Sequence, residues 1–256
     1  MQKTFGRTLT LGAALALALT AGGAQAQQLP TARQIVDRYV EAVGGRQVVA
    51  QQRFRRIQAE MSMPAMGATF TMDSKYARPN KFINRMEMPG MGVMTTGFDG
   101  QNAWAMNPAT GATLMDGKEL QQAMRQADFD GAVDFSKAFP TMETVARATV
   151  DGKACNRVRM VSAQADTVFG CFDVESGLLT SMEMKQASPM GEMTVTMRMS
   201  DYRDFGGMKM PARTTMEMAG QQMVTTVKSV SYEPIPDSEF VPPAEVRALI
   251  ANRPRN

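Results

Sequence analysis

Met193-Thr194-Val195-Thr196-Met197-Arg198-Met199 alternates apolar and polar side chains at every step, and its reading decides the fold. Side chains at i and i+2 of a strand share a face, so this segment is a strand with one greasy side and one wet side. The same alternation recurs at Met61-Ser62-Met63, Phe70-Thr71-Met72, Met86-Glu87-Met88, Met182-Glu183-Met184, Met208-Lys209-Met210 and Met216-Glu217-Met218. The chain therefore predicts an antiparallel sheet with a methionine-rich face to hide and a solvated face opposite.

Working outward, strands are expected at 57–63, 68–77, 81–88, 92–98, 102–106, 143–150, 154–161, 167–174, 178–187, 191–204, 208–218 and 221–232. Asp99-Gly100, Asn107-Pro108, Asp151-Gly152, Ser176-Gly177, Pro189 with Gly191, and Gly206-Gly207 punctuate them as turns. Connections this short exclude helical crossovers between parallel strands. Helical periodicity appears in three places. Thr31 caps a first helix with Ile35, Tyr39, Val40 and Val43 on one face, ended by Gly44-Gly45. Residues 117–139 interrupt the sheet, with Leu120, Ala123, Met124 and Ala127 on one helix face and Phe135 and Phe139 on a second piece. A short helix at 244–251 closes the chain.

The N-terminus carries Lys3 and Arg7, an apolar run from Leu9 to Leu19, and Ala24-Gln25-Ala26 as a small-x-small cleavage site. This is a secretory signal peptide, 1–26, cut after Ala26, too short to span a membrane. Residues 27–256 are expected to form one soluble, exported, monomeric domain. Removing the two signal cations lowers the net charge from +3 to +1, which argues against nucleic acid. In an oxidising compartment Cys155 and Cys171 form a disulfide. A hairpin centred on Ala163 sets them directly opposite each other, and the bond contributes about 3 kcal/mol.

Of the 25 methionines, 24 follow the signal. Three readings of the stripe stand: a solid core, an apolar cavity for acyl chains, or thioether binding of Cu(I). Copper sites favour methionines clustered in loops beside histidine, and this chain has no histidine. The same lack removes Ser–His, Cys–His and His–metal chemistry. Carboxylates such as Glu183 and Glu217 alternate with methionine on the outer face and read as solvated. No enzyme activity, metal or cofactor is expected.

Lys75-Tyr76-Ala77-Arg78-Pro79-Asn80-Lys81-Phe82, followed by Arg85-Met86, resembles the basic-Arg-Pro-Asn-x-Phe strand of the LolA-type periplasmic lipoprotein carriers. Gly97-Phe98-Asp99-Gly100-Gln101-Asn102-Ala103-Trp104 resembles that family's D-G-x-x-x-W hairpin. Asn107-Pro108 matches its Asn-Pro turn, and Asp173–Leu179 is similar to its D-x-x-S/T-G-L-L turn. The likeness is strongest over 70–115, and 117–150 and the disulfide have no counterpart. It implies a mainly β (α+β) fold: a single curved antiparallel sheet forming an incomplete barrel, with helices covering the concave apolar face.

The resemblance also implies a role: a periplasmic carrier that shelters lipid or lipoprotein acyl chains for outer-membrane lipoprotein sorting, with a membrane donor complex and an outer-membrane acceptor. A regulatory or sensory lipid-binding domain acting through an envelope partner is the alternative, and copper binding the third. The ligand-facing residues expected are Met63, Met72, Met86, Met88, Met184, Met197, Met199, Met210, Met216 and Met218. Leu120, Met124, Phe135 and Phe139 belong to the lid. Arg78 matches the family arginine that latches the lid and releases it when cargo enters, and Trp104 packs in the sheet.

Overall fold

The computed structural model describes residues 28–131, 133–188 and 191–253. The signal segment 1–26, its cleavage point and the Pro189 turn residue lie outside them. Helix α1 (Ala32–Ala42) starts at Thr31, whose Oγ1 accepts from the Gln34 amide at 3.3 Å while Gln34 Oε1 accepts from the Thr31 amide at 2.9 Å. This reciprocal capping box satisfies two amides that the helix leaves unpaired. Gly44, at φ +116, turns the chain into α2 (Gly45–Gln51). A Cβ at Gly44 would overlap the Gly207 carbonyl, so only glycine lets the helix pair sit this close to the sheet.

Thirteen strands form one sheet: β1 (Phe54–Met63), β2 (Ala68–Ala77), β3 (Lys81–Met88), β4 (Gly92–Phe98), β5 (Ala103–Asn107), β6 (Gly111–Leu114), β7 (Thr141–Val150), β8 (Lys153–Val161), β9 (Thr167–Asp173), β10 (Leu179–Ser188), β11 (Gly191–Phe205), β12 (Met208–Met218) and β13 (Gln221–Ser231). The spatial order is β6-β5-β4-β3-β2-β1-β13-β12-β11-β10-β9-β8-β7. Two meanders are thus joined by antiparallel pairing of β1 with β13. The sheet does not close, and its edges are β6 and β7. Helices α3 (Gly117–Ala127) and α4 (Phe135–Ala138) lie on the connection between those edges. The incomplete barrel expected from the sequence is the fold observed. The short β6 was not anticipated, and β1 begins at Phe54, before the expected Ile57.

Antiparallel alternation puts the β2–β3, β4–β5, β9–β10 and β11–β12 turns at one end of the sheet, here the base. The helices gather there. Arg38 donates to the Val174 and Glu175 carbonyls at 2.8 and 2.6 Å, and Lys209 N donates to the Val43 carbonyl at 2.9 Å. Inside, Ile35, Val36, Tyr39 and Val40 of α1 bury against Val158, Met160 and Phe172. Phe135 meets Tyr39 edge-on at 5.4 Å and Phe172 at 6.2 Å. Burial pushes the Tyr39 hydroxyl up to about 12. A second cluster sets Phe82, Phe98 and Ala103 under Ala123 and Ala127 of α3.

Two expectations are corrected. The outer face is not wet throughout: a 3-10 turn at Asp237–Phe240 and α5 (Ala244–Ala251) cover part of it. Phe240 is buried with Ala77 and Ile83, and Trp104 lies fully buried over Gly97, where a Cβ would overlap the indole. Glu239 clasps this segment, accepting from Lys75 at 2.7 Å and Arg85 at 2.9 Å. The second correction concerns register. The Cys155–Cys171 bond is present, with Cα atoms 5.5 Å apart, but Cys171 stands opposite Arg157 and Cys155 opposite Asp173. The turn closes between Ser162 and Asp166 and is centred one residue later than expected, so the bridge is diagonal.

Two outcomes follow for stability. Gly97→Val is expected to cost about 1–3 kcal/mol of unfolding free energy, read as a lower urea midpoint, since the added carbons meet the Trp104 ring. Hydrogen bonds from Lys75, then Arg85, hold the Glu239 carboxyl at about 2, below its ordinary 4.5. A depressed acid stabilises above its unfolded value and loses that contribution as pH falls. Wild type should therefore exceed Glu239→Gln in stability at pH 7, and the gap should shrink from about pH 5 and be gone below about pH 2. Denaturant titrations of both proteins across that range check this.

Candidate functional site

The concave face is read directly from the strand register. Met182, Met197, Met216 and Met223 stand opposite one another across β10, β11, β12 and β13. Met72, Met86 and Met94 form a second transverse row across β2, β3 and β4. Residues widely separated in sequence are thereby collected into a continuous thioether surface.

All ten methionines expected to face ligand, Met63, Met72, Met86, Met88, Met184, Met197, Met199, Met210, Met216 and Met218, share this side, and each is half-buried. Met184, Met199 and Met210 abut the core under α1. The other seven are not among the side chains packed into the helix-covered clusters. The face thus has a helix-packed part of aromatic and aliphatic side chains and a part surfaced by half-buried methionines. The tips continue this character: Met66, beside Pro64, is 64 % exposed, and Met91, after Pro89-Gly90, is 59 % exposed.

The lid residues divide. Phe135 is buried, and Phe139 packs beside it with ring centroids 6.1 Å apart. Leu120 rests on the Phe82–Phe98 cluster. Met124 does not share the inward face: α3 buries Ala123 and Ala127, and Met124 falls at the edge of that stripe, half exposed. The outer-face carboxylates are ion-paired, Glu183 with Arg157 at 3.2 Å and Glu217 with Arg198 at 2.9 Å.

Arg78, at the base end of β2, is a junction. Its Nε donates to the Gln52 carbonyl at 2.8 Å and Nη2 to the Val49 carbonyl at 2.9 Å, tying down the C-terminal turn of α2. Nη1 and Nη2 also grip Asp130 in the helical connection, at 2.7 and 2.5 Å. The guanidinium stacks on Phe129 at 4.6 Å. Hydrogen bonding from Arg78 holds the Asp130 carboxyl below its ordinary range. Asp130 and Phe129 were not singled out in the sequence, because nothing local marks a partner 52 positions from Arg78. Arg55 was also missed: it lies two residues before the expected strand start, yet on the same face as Ile57, Ala59 and Met61.

Solved structures share this architecture. A LolA superfamily protein from Nitrosomonas europaea superimposes with a TM-score of 0.58 at 15 % identity, covering 84 % of this chain and 99 % of its own. A DUF1329 family protein from Desulfovibrio piger gives 0.59 at 10 % identity, over 82 % and 97 %. A putative outer membrane lipoprotein-sorting protein domain from Vibrio parahaemolyticus gives 0.52 at 10 % identity, over 80 % and 97 %. The chain has a LolA-like fold. No family model matches the sequence, and no curated protein does. Among the described residues no helix is long and apolar enough to cross a membrane.

Replacing Arg78 with Leu removes a bidentate charged pair and two bonds to helix carbonyls. A loss of about 2–3 kcal/mol is expected, typical of charge-assisted hydrogen bonds. Hydrogen exchange should speed up locally in α2 and in 117–139, while β10–β13 keep their protection.

Proposed function

We propose that this protein is a periplasmic carrier that shelters the acyl chains of lipids or lipoproteins on its methionine trough, in outer-membrane lipoprotein sorting. The observation that carries this reading is the run of half-buried methionines on the sheet face beside the helix-packed clusters. The ten methionines expected to face ligand lie on that face, each half-buried. Methionine is unbranched, flexible and polarizable, so such a surface adapts to chains of differing shape. Each methylene buried there contributes about 0.8 kcal/mol before costs.

In this reading residues 117–139 are the lid, with Leu120, Met124, Phe135 and Phe139 as its apolar side chains, and Arg78 is the latch through Asp130. The latch supplies a release mechanism: lid closure and cargo compete for one apolar face, so closing the pair expels the chain. The carrier works as a monomer, receiving cargo from a membrane donor complex and passing it to an outer-membrane acceptor.

Native mass spectrometry of the protein recovered from its own periplasm tests this. Bound lipid or lipoprotein is expected on the wild type and should be lost from Met197→Asp and Met86→Asp. A folded Met197→Asp protein that retains its full lipid content would refute the trough as the binding surface.

A further inference from the structure

Arg55 is a buried cation left over from the latch. It is 8 % exposed. Among the described residues it makes no side-chain hydrogen bond and no ion pair, and its Nε is sealed from solvent without a partner. Its guanidinium lies between two rings, 5.0 Å from the Tyr76 centroid and 4.7 Å from that of Phe129. The one carboxylate acting on it, Asp130, is already engaged by both terminal nitrogens of Arg78. Neighbouring Asp128 pairs with Lys137 at 2.7 Å. Two guanidiniums therefore share one carboxylate. Gln52, whose carbonyl Arg78 holds, adds an amide with both polar atoms buried and unpartnered. A buried charge is costly unless it is paired and hydrogen-bonded, and aromatic faces compensate it only in part. Burial accordingly holds the Arg55 pKa below its ordinary value.

The position of Arg55 matters as much as its charge. On β1 it begins the track Arg55, Ile57, Ala59, Met61, Met63, which runs from the base to the tips on the concave side. Eight steps of about 3.3 Å span roughly 26 Å. One leaflet of acyl chains occupies about 15 Å, half of a bilayer's hydrocarbon core. We infer that Arg55 is the head-group site of the trough: the ligand is an amphiphile with an anionic head, carboxylate or phosphate, bound by this guanidinium while its chain lies along β1 toward the methionines.

This rests on the carrier reading and names its ligand class. It also adds a coupling. Phe129 is adjacent to Asp130, so the motion that parts Asp130 from Arg78 also lifts the ring from Arg55. An incoming anion replaces a ring face with a charge-assisted bidentate partner, which favours the open lid.

Delipidated protein, titrated with dodecanoate, dodecyl phosphate and dodecanol in a probe-displacement assay, tests the assignment. One or both anions should bind wild type on the order of ten-fold or more tighter than the alcohol, the ratio expected of a charged hydrogen bond. Whichever is tighter identifies the head. Inorganic phosphate alone should displace neither, and displacement by it would replace the amphiphile with free phosphate as ligand. Arg55→Met, close in length and without the buried charge, should bring the three affinities within about two-fold of one another. Arg55→Lys, which keeps the charge but not the planar fork, should retain an intermediate preference and serves if the first variant fails to fold. Equal affinities in wild type, or an anion preference that survives Arg55→Met, overturns the head-group site and leaves the carrier reading standing. Binding of none of the three amphiphiles overturns both.

Discussion

The structure depends on one topological constraint. Strands β6 and β7 follow each other in the chain, yet they are the two free edges of a thirteen-stranded sheet. The residues between them must travel from one edge to the other. The apolar side chains of α3 and α4 then find burial only against the concave face they cross, over Phe82 and Phe98 on one side and Phe172 on the other. The helices over the sheet follow from the strand order.

That crossing covers only part of what it spans. The helices gather at the base because their polar anchors are there: Arg38 on the β9–β10 turn, Val43 on β12, and Arg78 beside the β2–β3 turn. A further bond, from Thr144 Oγ1 of β7 to the Pro30 carbonyl at 2.7 Å, holds the entry to α1. The apolar character of the face does not stop with the helices, however, and the methionine rows continue it. Branched and aromatic side chains predominate in the helix-packed clusters, where fixed partners reward shape, with Met160 and Met208 among them. Flexible thioethers predominate on the rest of the face.

Much of this was legible in the sequence because it rests on local patterns. Period-two alternation located the strands, and Thr31 located the first cap. Ala244–Ala251 was found at its observed bounds. The misses fall where turn closure or packing, and not alternation, decides the outcome. The diagonal Cys155–Cys171 geometry hangs on a one-residue difference in where the Ser162–Asp166 turn closes. The buried outer surface at Trp104 and Ile83 depends on a C-terminal segment more than a hundred residues downstream. Met124 fits an apolar face by spacing, but the narrow alanine stripe of α3 decides which side chains turn inward.

Arg55 and Arg78 illustrate the limit most clearly. Both stack on Phe129, and both sit at the base end of the sheet. Their surroundings divide their roles. Arg78 is partly exposed and fully engaged, with a carboxylate and two helix carbonyls, so it holds one part of the chain against another. Arg55 is buried among rings with its Nε unpartnered among the described residues. A guanidinium that only filled space there would be outperformed by an apolar residue of similar length, because an unpaired buried cation destabilises the fold that contains it. In the head-group proposal its place on the concave side of β1 is accounted for by an anion that the chain itself does not supply.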